Sequence, residues 1–342
     1  MTQSTEAPEA HAAREGLRSA LATTRPIVTM SRDGLVIIAL AWELDRPPAY
    51  QTATIATANG HLELHELGGG TVPTIEAVTK GWPVVIFAGD TIVGGRQNRI
   101  INVSVWLKAA ATTPIPVSCL EMGRWDAGSR FGAGRKVDYL LRSRVSGQVE
   151  EQARAESSAF AQEGAPAAEH RATYAADQHA IWNEIAAKET RASVHSPSAA
   201  LHDLYEREAA DLASFVGAFP CPAGATGLAV GIGGRLVAVE LFDSAATLKE
   251  QWPRLVESAA SACLDHRRAV AAHLEPAPQH RYPDEGALAR MVGRARHALD
   301  GAVVGRSVGE GFDVRLSGEK VRGGALIVEG RPVHVELFRA EG

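Results

Sequence analysis

Cysteine is scarce: Cys119, Cys221 and Cys263 are the only three in 342 residues. An odd number at such wide separation excludes a disulfide framework, suits reduced thiols in a cytosol, and offers no zinc-knuckle spacing. Long apolar runs are also missing. The longest, Leu35 to Trp42, falls far short of the ~20 residues a membrane-crossing helix requires. Met1 to Thr24 lacks a cationic start followed by an apolar stretch and does not read as a secretion signal. Positive charge has no surplus either, because 35 Lys and Arg stand against 40 Asp and Glu. That balance excludes the broad basic surface that nucleic acid or an anionic membrane favours, and any anion site must be local. The expectation is a cytoplasmic protein.

What is present is enough apolar material, 45% of residues, for one large core or two smaller ones. Short apolar segments separated by Gly, Pro and Asn clusters fill the first half, and helical patterns follow later, which gives an α+β chain with hairpin-rich antiparallel sheets. The expected organisation is a mobile extension or short helix over 1–25, a hairpin-rich domain over 26–145, and a connector over 146–173. Helices and two hairpins occupy 174–342, as a separate unit or packed on the first part as one domain. Asn59-Gly60 predicts a type I′ hairpin between Thr52–Ala56 and His61–Leu67. Ser196-Pro197 predicts the start of a helix whose apolar stripe is Leu201, Leu204, Tyr205, Leu212 and Phe215. Further helices are expected around Leu248–Arg268, interrupted at Pro253, and around Glu285–Leu299.

One internal echo stands out. Ala229–Phe242 reads AVGIGGRLVAVELF and Ala325–Phe338 reads ALIVEGRPVHVELF without gaps. Both read as hairpins turning at Gly233-Gly234 and Glu329-Gly330. A duplication explains the pair, and so does convergence of two amphipathic hairpins.

The segment with chemistry runs from Gly94 to Trp125. Gly94-Gly95 leads into Arg96-Gln97-Asn98-Arg99, a turn rich in donors whose backbone N–H groups can form an anion-holding concavity. A strand from Asn98 to Leu107 then puts Asn98, Asn102 and Ser104 on one face, and Pro116–Glu121 returns beside it with Cys119 and Glu121 facing Asn102 or Ser104. In the functional reading Gly95, Arg96, Arg99 and Arg124 hold anionic groups. Gln97, Asn98 and Asn102 then orient polar ones, and Trp125 offers a stacking surface. The competing reading is an internal network in which the arginines pair with Asp90, Glu121 and Asp126. Cys119 is a candidate nucleophile if an arginine lowers its pKa, with Glu121 as acid or base, although a buried strand cysteine is more often a small hydrophobe. His61, Glu63 and His65 alternate on a strand but lack further ligands, so no metal is assigned. Gly231-Ile232-Gly233-Gly234 precedes a strand, where a dinucleotide loop needs a helix.

The runs GGRQNRIINVSVWL and IPVSCLEMGRW resemble the ADP-ribosylglycohydrolase and rhodanese-phosphatase-superfamily-associated protein family, a bacterial group. Its signature falls on Gly95, Gln97, Asn98 and Arg99, and on Ser118, Cys119, Glu121, Gly123, Arg124 and Trp125. Looser similarity at Gln178–Ile185 and Gly227–Trp252 extends the resemblance from about residue 30 to the C-terminus. The family's name implies ADP-ribose or NAD-derived metabolites and carries no catalytic residue across. Two functions are therefore expected: a site for a small anionic, nucleotide-like ligand, bound or processed, or a non-enzymatic interaction or assembly protein whose polar segment is structural. Cofactors are not legible, nor is self-association, for which exposed hairpin edges would serve.

Overall fold

A computed structural model describes residues 8–67, 73–123, 130–162, 170–276 and 283–340. Helix α1 (Pro8–Ala22) leads into the hairpin β1 (Arg25–Arg32) and β2 (Leu35–Ala41). The chain then leaves this sheet for β3 (Gln51–Thr52), α2 (Ala53–Ala58), β4 (Leu62–Glu66), β5 (Thr74–Thr79) and β6 (Val84–Ile86). It continues through β7 (Asp90–Val93), β8 (Arg99–Ile101), β9 (Val105–Leu107), β10 (Thr112–Cys119) and β11 (Gly132–Lys136). Four helices follow: α3 (Tyr139–Gln162), α4 (Gln178–Ala192), α5 (Leu201–Arg207) and α6 (Ala209–Ala218). The chain returns to the first sheet with β12 (Gly227–Ile232) and β13 (Arg235–Phe242). It ends with α7 (Ala245–Ala271), α8 (Glu285–Ala298), β14 (Val303–Arg306), β15 (Phe312–Gly318), β16 (Val321–Val328) and β17 (Arg331–Phe338). The class is α+β with sheets that are antiparallel throughout except where β3 runs parallel to β6.

The large sheet has eight strands in the order β1-β2-β12-β13-β17-β16-β15-β14, a palindrome of two four-stranded halves. The echoed hairpins are its centre. Their strands pair in matching register, Gly227 opposite Leu241 and Gly323 opposite Leu337. Each carries its bulge at the corresponding step, between Val230 and Gly231 and between Leu326 and Ile327. Both turns use left-handed residues, Gly233 and Gly234 in one, Glu329 and Gly330 in the other. β13 then pairs antiparallel with β17 so that Glu240 faces its own counterpart, Glu336. Helices α1 and α8 precede the outer hairpins of the two halves and pack on each other. Convergence of two isolated hairpins does not produce matched bulges, matched flanking strands and a self-complementary seam. The first half differs by one long insertion, everything between β2 and β12.

Gly227 and Gly323 are equivalent in this symmetry and have the same reason to be glycine. A Cβ at Gly227 would lie 2.5 Å from the Glu240 carbonyl oxygen, and one at Gly323 2.1 Å from that of Glu336. Gly323→Ala is therefore expected to destabilise the fold by about 1–3 kcal/mol, because β16 and β17 must spread to admit a methyl group; a urea midpoint equal to wild type would show that the close approach is not a constraint.

Several expectations change. Residues 8–22 are a packed helix with Ala10, Ala13, Leu17 and Leu21 buried, not a mobile extension. Asn59-Gly60 ends α2 instead of turning a hairpin: Thr52 caps the helix start, Asn59 is its C-cap and Gly60 follows at φ +72°. A left-handed glycine serves a helix end as well as a tight turn. Ser196 accepts the Ala200 N–H at 2.9 Å and donates to Asp203, so its loop is closed by side chain and the helix starts only at Leu201. Buried Glu208, paired with Arg268, then divides α5 from α6. α7 runs unbroken through Pro253, held by the buried Leu248, Trp252, Leu255 and Val256. Residues 146–162 belong to α3, and β2 pairs with β12, so a division at 146–173 does not separate two sheets.

Candidate functional site

The six-stranded sheet, ordered β11-β7-β8-β10-β5-β4, curls until its two edges meet over the turn between β7 and β8. That turn is Gly94-Gly95, at φ +109° and +56°. Gly95 must be glycine, since a Cβ would lie 2.2 Å from the Phe131 ring and 2.9 Å from Glu66 Oε1. The turn does form an anion-holding concavity, but the anions are the protein's own. Arg96 N–H donates to Glu66 Oε1 at 3.1 Å, Asn98 N–H to Glu121 Oε2 at 3.1 Å, and Gly94 N–H to Asn98 Oδ1 at 3.1 Å.

Behind the turn the polar residues close on one another. Gln97 donates to the Glu121 carbonyl at 2.9 Å and accepts from Arg99 Nη1 at 2.9 Å. Arg99 is fully buried, with Nη1 also on Cys119 Sγ and Nη2 3.6 Å from Glu66 Oε1. Asn102 donates to the Tyr174 carbonyl at 3.0 Å. The strand expected over Asn98–Leu107 breaks after Ile101, and Cys119 lies opposite Arg99, not opposite Asn102 or Ser104. Burial, reinforced by Glu66 and Glu121 and opposed by Arg99, pushes the Cys119 thiol up to about 11. The lowered pKa expected for a nucleophile is absent. Cys119 and Glu121 are 0% and 3% exposed and lie outside the cleft at this turn, and neither is assigned a chemical step. Arg124 and Trp125 lie outside the described residues.

In front of the turn is a cleft of about 510 Å³. Gly95 and half-buried Arg96 form one wall, Arg130 and Phe131 a second, and the strand Leu62–Glu66 the third. Its charge is mixed. A hydrogen bond from Lys80 holds the Glu63 carboxyl below its ordinary range. His61 turns instead to Gln51 Oε1 at 2.9 Å. Among the described residues no group of three His, Cys, Asp or Glu side chains is arranged to hold a metal. Nor is any of their helices long and apolar enough to cross a membrane. Arg130, Phe131 and Glu66 were not among the sequence candidates, and Glu63 and His65 were weighed only as metal ligands, because only the curl of the sheet brings its two edges to Gly95.

Residues 27–338 match the family described as ARG and Rhodanese-Phosphatase-superfamily-associated Protein domain. The chain belongs to this family. No curated protein and no solved structure matched it. The cleft, the closed polar network and both halves of the large sheet fall inside the ARPP-1 match, as does the entire insertion.

A second cluster in the ARPP-1 fold went unnoticed in sequence because its members are far apart. Ser104 Oγ lies 2.8 Å from His334 Nδ1, and His334 Nε2 lies 3.0 Å from Glu240 Oε1, the three residue types of a hydrolase triad but with the two ring nitrogens exchanged. It is closed to substrate. Ser104, His334 and Glu240 are 4%, 1% and 1% exposed, Phe87 and Phe242 pack on the imidazole, and the Ala88 N–H occupies the hydroxyl. The chain ties the insertion to the seam of the large sheet.

Proposed function

We propose that the cleft at the Gly94-Gly95 turn binds a small anionic ligand of nucleotide type, ADP-ribose or an NAD-derived metabolite. The observation that carries this is the meeting of Gly95, Arg96, Arg130 and Phe131 opposite Glu63 and Glu66 around one open space. Two guanidinium forks suit a phosphate pair, the Phe131 ring supplies a stacking face, and carboxylates accept ribose hydroxyls. The volume lies within the ~300–1,000 Å³ common for small-molecule sites. We read ARG in the family description as ADP-ribosylglycohydrolase, which favours this ligand class.

Arg96→Ala/Arg130→Ala is expected to abolish the thermal stabilisation given by millimolar ADP-ribose while leaving the melting temperature without ligand within about 3 °C, as for surface changes in general. Failure of ADP-ribose, NAD and AMP to stabilise the wild type would remove the nucleotide reading.

One observation favours the second reading, an assembly protein. β1 is an edge strand with Ile27 and Val28 39% and 40% exposed, and such edges accept a further strand. A monomer by light scattering at high concentration, with no strand-bearing partner bound, would count against it.

A further inference from the structure

A second cleft, of about 340 Å³, lies between α3, α4, α7 and one end of the large sheet. Three adjacent strands deliver an arginine to it. Arg235 opens β13, Arg339 immediately follows β17, and Arg322 lies on β16 opposite Phe338. The register fixes their proximity: the Arg339 N–H donates to the Val237 carbonyl at 2.9 Å. Like charges at neighbouring strand positions repel, so carboxylates would be expected among them.

Of the three carboxylates lining the cleft, exposed Glu275 has no ion pair to these arginines among the described residues and the other two are engaged elsewhere. Asp265 takes Lys188 at 2.8 Å and Arg191 at 2.7 Å, while Glu184 takes Arg144 and Arg191, each at 3.2 Å. None of Arg235, Arg322 and Arg339 has an ion pair among the described residues. Arg322 is half-buried and stands over Gly147, where a Cβ would be 2.0 Å from Nη1. A further polar atom is uncompensated: His266 lines the cleft and its buried Nε2 has no hydrogen-bond partner. It rests over Gly233, at φ +59°, where a Cβ would be 2.3 Å away. The glycine turn that fails as a dinucleotide loop thus leaves the imidazole its place.

We propose that this cleft is a second anion site, for a phosphate-bearing small molecule gripped by Arg235, Arg322 and Arg339 with His266 beside them. Arginine forks match phosphate oxygens two at a time, and several on one wall suit a diphosphate better than a single carboxylate. The apolar residues Ile232, Val237 and Leu274 at the rim leave room for an organic body. The site shares no residue with the cleft at Gly94-Gly95 and stands whether or not that cleft binds nucleotides.

Calorimetric titration of the full chain with inorganic pyrophosphate at low salt tests it. Arg235 and Arg339 are exposed, so Arg235→Ala/Arg339→Ala is expected to keep the wild-type urea midpoint and to weaken pyrophosphate at least tenfold. Arg96→Ala/Arg130→Ala serves as the control and is expected to leave this heat unchanged. Binding should also weaken steeply with added salt. No pyrophosphate binding by wild type, equal affinity in Arg235→Ala/Arg339→Ala, or a loss confined to Arg96→Ala/Arg130→Ala would each overturn the proposal.

Discussion

Arg142→Ala is expected to cost about 3–5 kcal/mol of folding stability, the loss typical when one member of a buried ion pair is removed. Arg142, 2% exposed, places Nη1 on Glu240 at 2.9 Å and Nη2 on Glu336 at 3.1 Å. These are the two carboxylates that face each other across the seam. Without the guanidinium both remain buried, with Lys136 and His334 near only the first and Arg315, at 3.9 Å, near only the second. Burial by itself raises the Glu240 pKa, but Arg142, Lys136 and His334 outweigh it and hold the carboxyl well below its ordinary 4.5. A depressed carboxyl stabilises the fold above its unfolded pKa, and that contribution disappears as pH falls through it toward the folded value. The deficit of Arg142→Ala should therefore be largest near neutrality and shrink as the pH drops below about 4.5. Adding Glu336→Gln should recover part of it. Denaturant midpoints equal for wild type and Arg142→Ala at pH 7 would show that the pair contributes nothing to the seam.

The second large effect concerns thiol chemistry. With its pKa pushed up to about 11 from an ordinary 9.0, Cys119 carries about a hundredth of the thiolate of an unperturbed thiol at neutral pH. It is also fully buried. Cys263 is similarly buried and pushed to about 11, whereas Cys221 is half-buried. Iodoacetamide at pH 7.5 is expected to modify Cys221 first, with Cys119 protected by a factor of at least 100 until the protein unfolds. Peptide mapping of the alkylated protein reads this directly. Fast labelling of Cys119 in the native state would reinstate it as a nucleophile.

Periodicity and turn residues made the class legible: the hairpins at Gly233-Gly234 and Glu329-Gly330, the stripe from Leu201 to Phe215 and the helix at Glu285 all reach the structure. They failed where one local signal serves two structures, as Asn59-Gly60 does, or where packing overrides a local preference, as around Pro253. The Gly94-Gly95 turn was legible as a donor-rich bend. That its donors are spent on Glu66 and Glu121 was not, because the partners arrive from other strands. Sorting Arg96, on the cleft, from Arg99, behind it, depends on which side of a curled sheet a residue faces, and one-dimensional alternation does not define that side.

The palindrome of the large sheet has a chemical consequence. Any arrangement built from two equivalent halves must set the same side chain against itself at the axis, and here that side chain is an acid. A symmetric pair of such units would carry adjoining negative charges on its axis with no symmetric cation between them. Arg142 solves this by belonging to neither half: it comes from the insertion and divides one guanidinium between two equivalent carboxylates. His334 and Lys136 then attach to only one of them, and from that point outward the two halves are no longer interchangeable. The segment that carries the cleft is thus also the counter-ion of the axis, so the part of the chain that makes the molecule asymmetric is the part that lets its symmetric centre remain closed.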